Sequence, residues 1–71
     1  MKHARSDYDP IQDPRGIIPV DEPVFLLRGQ DMHAAATLRL YARFVTGHMR
    51  EVVLAHAKLM DAWQKKKEPD L

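Results

Sequence analysis

Four of the five prolines of this chain lie within its first 23 residues, at positions 10, 14, 19 and 23. Each proline fixes its own φ and moves the preceding residue toward extended conformations, so a helix longer than one turn cannot form there. We therefore expect residues 1–23 to form an extended, partly disordered arm. Within this arm, the order Asp13-Pro14-Arg15-Gly16 is typical of a β-turn.

A short apolar run follows the arm and consists of Val24, Phe25, Leu26 and Leu27, with Gly29 closing it. Its length, its β-branched and aromatic start and the flanking proline and glycine predict a short strand. Because all four side chains are apolar, both faces of such a strand would have to be covered.

The next segment has the pattern of an amphipathic helix. Asp31 is a favourable N-cap, and residues 32–45 contain no helix breaker, which predicts a helix of about 14 residues. Gly47 can take the left-handed conformation that ends helices. One face carries mainly apolar side chains and the opposite face carries Arg39 and Arg43; the apolar members are Ala34, Leu38, Tyr41, Ala42 and Val45, with Phe44 at their edge.

A second amphipathic helix is predicted over about residues 49–66. Its inner face is expected to carry Met49, Val52, Ala55, His56, Leu59, Met60, Ala62 and Trp63, and its outer face Arg50, Ala57, Lys58 and Asp61. Three lysines would occupy the last turn, where positive charge meets the negative end of the helix dipole. The short connection predicts an antiparallel αα-hairpin. The fold class is thus mainly α, with a strand and hairpin over 24–66 and a tail over 67–71.

Apolar side chains outnumber those that one helical hairpin can bury. Two helices packed together cover one stripe each, which leaves Phe44, Leu40, Leu54 and a two-faced strand unaccounted for. The most economical solution is a homodimer with a four-helix core, in which the strand can also pair with a partner chain. The predicted dimer or partner interface comprises Val24, Phe25, Leu26, Leu27, Tyr41, Phe44, His56 and Trp63.

Charge is distributed unevenly, which leaves binding to nucleic acid open as an alternative. Residues 1–31 hold four basic against six acidic residues, and residues 32–71 hold seven against four. Contacts to backbone phosphates would come from Arg39, Arg43, Arg50, Lys65, Lys66 and Lys67. Nearby acids dilute this charge, and a helix-turn-helix domain would need a third helix that the proline-rich arm cannot supply.

Catalytic patterns are weak, so we expect no enzyme, metal or cofactor. The chain has no cysteine, its single serine is Ser6 in the arm, and its three glycines form no phosphate-binding loop. Asp21 and Glu22 are adjacent, so they would point to opposite sides; solvation or a salt bridge to Arg28 is the simpler interpretation. No two of His3, His33, His48 and His56 have the i, i+4 spacing of a helical metal site. His56 is expected to be a core or interface histidine, and an enzyme built on His33 or His48 is the least favoured alternative.

Residues 13–31, "DPRGIIPVDEPVFLLRGQD", and residues 55–64, "AHAKLMDAWQ", carry a family resemblance. They resemble a family of short uncharacterised bacterial and bacteriophage proteins that share a DP.G.IP.DEPVFLLR.QD segment and end in a helix with MDAWQ-like residues. Residues 32–53 depart from that pattern. The resemblance implies a bacterial or phage-infected cytoplasm and transfers no catalytic residue. The apolar runs, of at most four residues, and a start without a signal-peptide pattern agree with a cytoplasmic protein without membrane contact.

Overall fold

Two helices joined as a hairpin form the centre of the molecule. The computed structural model of the chain describes Asp13 and residues 15–69. Helix α1 spans Ala34–Ala42 and helix α2 spans Gly47–Ala62, with four residues between them. The prediction of a mainly helical chain built on a helical hairpin is therefore confirmed, whereas most of the predicted arm, residues 1–12, lies outside the described residues. Neither helix of the described part is long and apolar enough to cross a membrane.

The predicted strand at residues 24–27 was wrong. Residues 25–27 have no regular secondary structure, and Val24 contributes only a single bridge position. A strand gains stability from a ladder of hydrogen bonds to a partner strand, and no such ladder continues through residues 25–27. The segment instead runs to a turn in which the Asp31 N–H donates to the Arg28 carbonyl at 3.0 Å.

Helix α1 is shorter than predicted at both ends. Asp31 Oδ1 accepts a hydrogen bond from the His33 N–H at 2.8 Å, which forms a turn before the helix instead of capping its first residue. At the other end, the Phe44 N–H donates to the Tyr41 carbonyl at 2.9 Å, an i→i+3 bond that tightens and closes the last turn. Gly47 has the predicted positive φ of 60°, but it begins α2 rather than ending α1.

Helix α2 ends earlier than predicted, at Ala62, and the lysines therefore lie beyond it. Trp63 adopts an extended conformation with ψ of 119°, which turns the chain away from the helix axis. The chain then folds back: the Lys67 N–H donates to the Gln30 carbonyl at 2.7 Å, and the Met32 N–H donates to the Lys67 carbonyl at 3.2 Å. These bonds join the C-terminal segment to the turn that precedes α1.

The contact between the helices is made by small side chains. We call this set the alanine seam; it consists of Ala34, Ala35 and Ala42 of α1 with Val53 and Ala57 of α2. Ala57 is 0% exposed, so its predicted place on the outer face was wrong. Small side chains allow two helices to approach closely, and this brings the helix faces with the least side-chain volume together.

The N-terminal end of the described chain is ordered by turns. The Gly16 N–H donates to the Asp13 carbonyl at 3.0 Å, as the predicted β-turn requires. The Asp13 carboxylate also accepts hydrogen bonds from the Ile17 N–H at 2.7 Å and from the Ile18 N–H at 3.1 Å. A second turn follows, in which the Glu22 N–H donates to the Pro19 carbonyl at 3.1 Å. These turns lead the chain to the segment that borders the hairpin.

Candidate functional site

The ion pair between Arg39 of α1 and Asp61 of α2 identifies one side of the hairpin. Arg39 and Asp61 each lie beside the alanine seam on their own helix. Because the two side chains meet in an ion pair, they lie on the same side of the hairpin. Arg43 and Lys58 are also exposed and lie farther round in the same direction. This side of the hairpin therefore carries mainly charged side chains, with Leu54 as an exposed apolar residue.

The opposite side carries large apolar side chains that the chain leaves exposed. Their helical positions lie on the other side of the alanine seam from Arg39 and Asp61. We call this set the apolar face; its members are Tyr41, Phe44, Met49, Val52, Leu59 and Trp63. Phe44 is 77% exposed and Trp63 is 51% exposed. Large apolar side chains exposed on one side of a small domain make that side a candidate for contact with another molecule.

The spacing along α2 resembles that of a helix that packs against further helices. Met49, Val52, His56, Leu59 and Trp63 follow each other at alternating intervals of three and four residues. This is the a and d spacing of helices in coiled coils and four-helix bundles. His56 occupies the centre of the stripe and is exposed. The stripe continues past the helix end because Trp63 directly follows Ala62.

A groove of about 430 Å³ lies where the apolar face meets the chain before α1. One wall is formed by residues 27–30, and the other by His56, Leu59, Met60 and Trp63. Gly29 borders the indole closely: a Cβ added there would lie 3.5 Å from Trp63 Cβ. The predicted strand segment and the end of α2 thus meet, although no strand forms.

Lys66 secures one end of this groove. Its Nζ donates a hydrogen bond to the Gly29 carbonyl at 2.8 Å and another to the Met60 carbonyl, in the last turn of α2. A positive charge at the C-terminal end of a helix is favourable, so the predicted dipole interaction is made by a side chain that folds back from beyond the helix. Lys65 and Lys67 flank it on the same tail.

Residues predicted to contact a partner differ in their exposure. Tyr41, Phe44, His56 and Trp63 belong to the exposed side of the hairpin, whereas Val24, Leu26 and Leu27 are half-buried. Phe25 is 71% exposed. Sequence reasoning placed Met49, Val52 and Leu59 inside the hairpin; their three- and four-residue spacing was the signal that could have assigned them to an outer contact.

The predicted phosphate contacts do not form one patch. Arg39 is paired with Asp61, and Arg50 Nε donates to the Ala42 carbonyl at 2.9 Å and to the Val45 carbonyl at 3.1 Å. Arg50 lies twelve residues before the end of α2, about 18 Å at the rise of an α-helix, and Lys65 and Lys66 follow that end. Binding to nucleic acid through these residues stays a prediction.

The three histidines of the described residues, His33, His48 and His56, lie at different places in the fold. His48 Nδ1 lies 3.6 Å from Glu51 Oε2 on an exposed turn, and His33 precedes α1. Among Asp13 and residues 15–69, no three histidine or acidic side chains are grouped as a metal site requires. Asp21 and Glu22 are exposed, and they form no ion pair within the described part of the chain.

Comparison of the chain with protein-family models, with curated proteins and with solved structures found no match in any of the three.

Proposed function

We propose that this chain is a small non-enzymatic protein-interaction module that acts as a homodimer. The observation that carries the proposal is the apolar face, which places Met49, Val52 and four other large apolar side chains in solvent on one side of a hairpin whose other side carries mainly charged side chains. Burial of such side chains is favourable at about 25 cal/mol per Å², and a second copy offers the same surface.

The dimer is formed by two hairpins that meet through their apolar faces as a four-helix core. The a and d spacing along α2 supports this arrangement, because it presents one straight stripe to a neighbouring helix. In a symmetric dimer the same patch contacts itself, so one surface suffices for both copies. The family resemblance of the N-terminal segment suits an accessory or host-modulating protein of a bacterial or phage-infected cytoplasm.

The experiment that tests this proposal is sedimentation equilibrium over the micromolar range, with Val52→Asp compared with Leu54→Asp. Val52 lies on the apolar face, whereas Leu54 is 39% exposed and lies on the side of Arg39 and Asp61. We expect dimers for the original chain and for Leu54→Asp, and loss of dimers for Val52→Asp. A chain that is monomeric throughout this range contradicts the proposal.

A further inference from the structure

Phe25 projects away from the rest of its own chain. It is 71% exposed, while Val24, Leu26 and Leu27 on either side of it are half-buried. The turn at Pro19–Glu22 precedes it and the turn at Arg28–Asp31 follows it, so both ends of the short segment are fixed. An aromatic side chain held outward in this way can insert into another surface, where aromatic residues contribute most of the binding energy.

The groove beside Leu27 has the size and chemistry to receive such a side chain. Its volume of about 430 Å³ exceeds what one aromatic ring fills, and Leu27, Leu59, Met60 and Trp63 provide apolar walls. Pockets that bind apolar groups generally begin at about 300 Å³. Phe25 does not line the groove of its own chain.

The charges near Phe25 are opposite to those near the groove. Asp21 and Glu22 are exposed just before Phe25, and no basic residue stands between Arg15 and Arg28. At the groove, Lys66 bonds to the Gly29 and Met60 carbonyls, and Lys65 and Lys67 follow the same tail. An acidic segment with one aromatic residue thus complements a groove that combines apolar walls with Arg28 and that adjoins Lys66.

We propose that residues 21–25 of one copy dock in the groove of a second copy, with Phe25 against Leu59 and Trp63, and that the second copy returns the same contact. The inference rests on the proposed homodimer and assigns Phe25 as the residue that each copy inserts into the other. Phe25, the inserted residue, is only two positions from Leu27, which lines the receiving groove. A two-fold axis beside this segment therefore forms both contacts at once and closes the assembly.

The test uses cysteine pairs, for which the chain offers a clean background because it contains no cysteine. Phe25→Cys is mixed with Leu59→Cys, and the control mixes Leu54→Cys, on the side of Arg39 and Asp61, with Leu59→Cys. All three positions are exposed, and circular dichroism verifies that each variant keeps its helices. Under mild oxidation we expect the first pair to give disulfide-linked heterodimers and the control pair to give few.

A second arm measures the strength of the contact. Phe25→Ala is expected to weaken dimerisation by about 10- to 100-fold, as loss of a central aromatic contact does, and Asp21→Lys with Glu22→Lys is expected to weaken it in the same direction. Equal cross-linking of both cysteine pairs overturns the inference, as does a Phe25→Cys/Leu59→Cys double variant that links only within single chains. Dimers that depend on Val52 but not on Phe25 overturn this inference alone; monomers at every concentration overturn the proposed function as well.

Discussion

The alanine seam and the apolar face lie on the same two helices but invert the usual relation between side-chain size and burial. The seam buries four alanines and one valine, whereas the face leaves Phe44, Met49 and Trp63 at least half exposed. No large side chain of the described residues is fully buried. The hairpin therefore uses its smallest side chains for contact between its own helices and keeps its largest for contact outside them.

This difference teaches how folding and assembly are divided in a small chain. An alanine methyl buries little area, and each buried methylene-sized group contributes only about 0.8 kcal/mol. Domains of this length are only marginally stable on one small core. If burial of the apolar face provides the remaining free energy of folding, the hairpin is stable only when a second surface covers that face. Four predictions test how the seam, the apolar face and the polar side contribute.

The largest expected effect comes from a charge placed in the alanine seam. Ala57→Asp buries an unpaired carboxylate between the helices, which should cost about 3 to 5 kcal/mol and abolish the helical fold. Ala55→Asp is the matched control, because Ala55 is exposed on the same helix. Circular dichroism at high protein concentration measures the outcome; a folded Ala57→Asp variant would show that the seam is not the contact on which the hairpin depends.

A smaller effect is expected from dilution, which tests whether the apolar face stabilises the fold. For a folded dimer that unfolds to two chains, each tenfold dilution lowers the free energy of unfolding by about 1.4 kcal/mol per mole of dimer. The thermal midpoint, followed by circular dichroism, should therefore fall on dilution. A midpoint that does not change with concentration would mean that the seam alone holds the hairpin together. Loss of the concentration dependence in Val52→Asp would locate the stabilising contact on the apolar face.

The alanine seam also shows why the sequence predicted a helical hairpin but not which faces of the two helices pack together. Hydrophobic periodicity and the break at Gly47 were enough to predict two helices. Periodicity cannot decide between two adjacent apolar stripes on α2, because the choice depends on which side chains allow the closest approach. Ala57 was assigned to the outer face together with Arg50 and Asp61, and its small side chain places it inside.

The candidate site was predictable in its residues and not in its geometry. The sequence indicated that Phe44, Leu40, Leu54 and the segment 24–27 exceed what one hairpin buries. These three side chains and Phe25 are exposed, whereas Val24, Leu26 and Leu27 are half-buried. The groove depends on contacts between Gly29 and Trp63 and between Lys66 and two carbonyls, which are distant in sequence and follow no local pattern. The strand failed for a related reason, since a strand needs a partner that local composition cannot supply.

A third prediction concerns the hydrogen bonds that Arg50 makes to backbone carbonyls at the connection between the two helices. Arg50 donates to the Ala42 and Val45 carbonyls, so Arg50→Ala removes charge-assisted hydrogen bonds from the end of α1. We expect a loss of about 1 to 2 kcal/mol in the free energy of unfolding by urea. Arg43 is exposed and lies one residue beyond α1, so Arg43→Ala should change the free energy of unfolding by less than about 0.5 kcal/mol. Equal effects of the two substitutions would show that Arg50 acts only through its charge.

The smallest expected effect is on the polar side, where Arg39 pairs with Asp61. Both side chains are about half exposed, so water screens their attraction and the coupling energy should be only about 0.2 to 1 kcal/mol. A double-mutant cycle with Arg39→Ala and Asp61→Ala, measured by urea unfolding in low and high salt, gives this energy and should show it shrinking with salt. A coupling well above that range and insensitive to salt would mean that this side is covered in the assembly. The polar side would then be the docking surface, and the contrast between the two sides of the hairpin would be reversed.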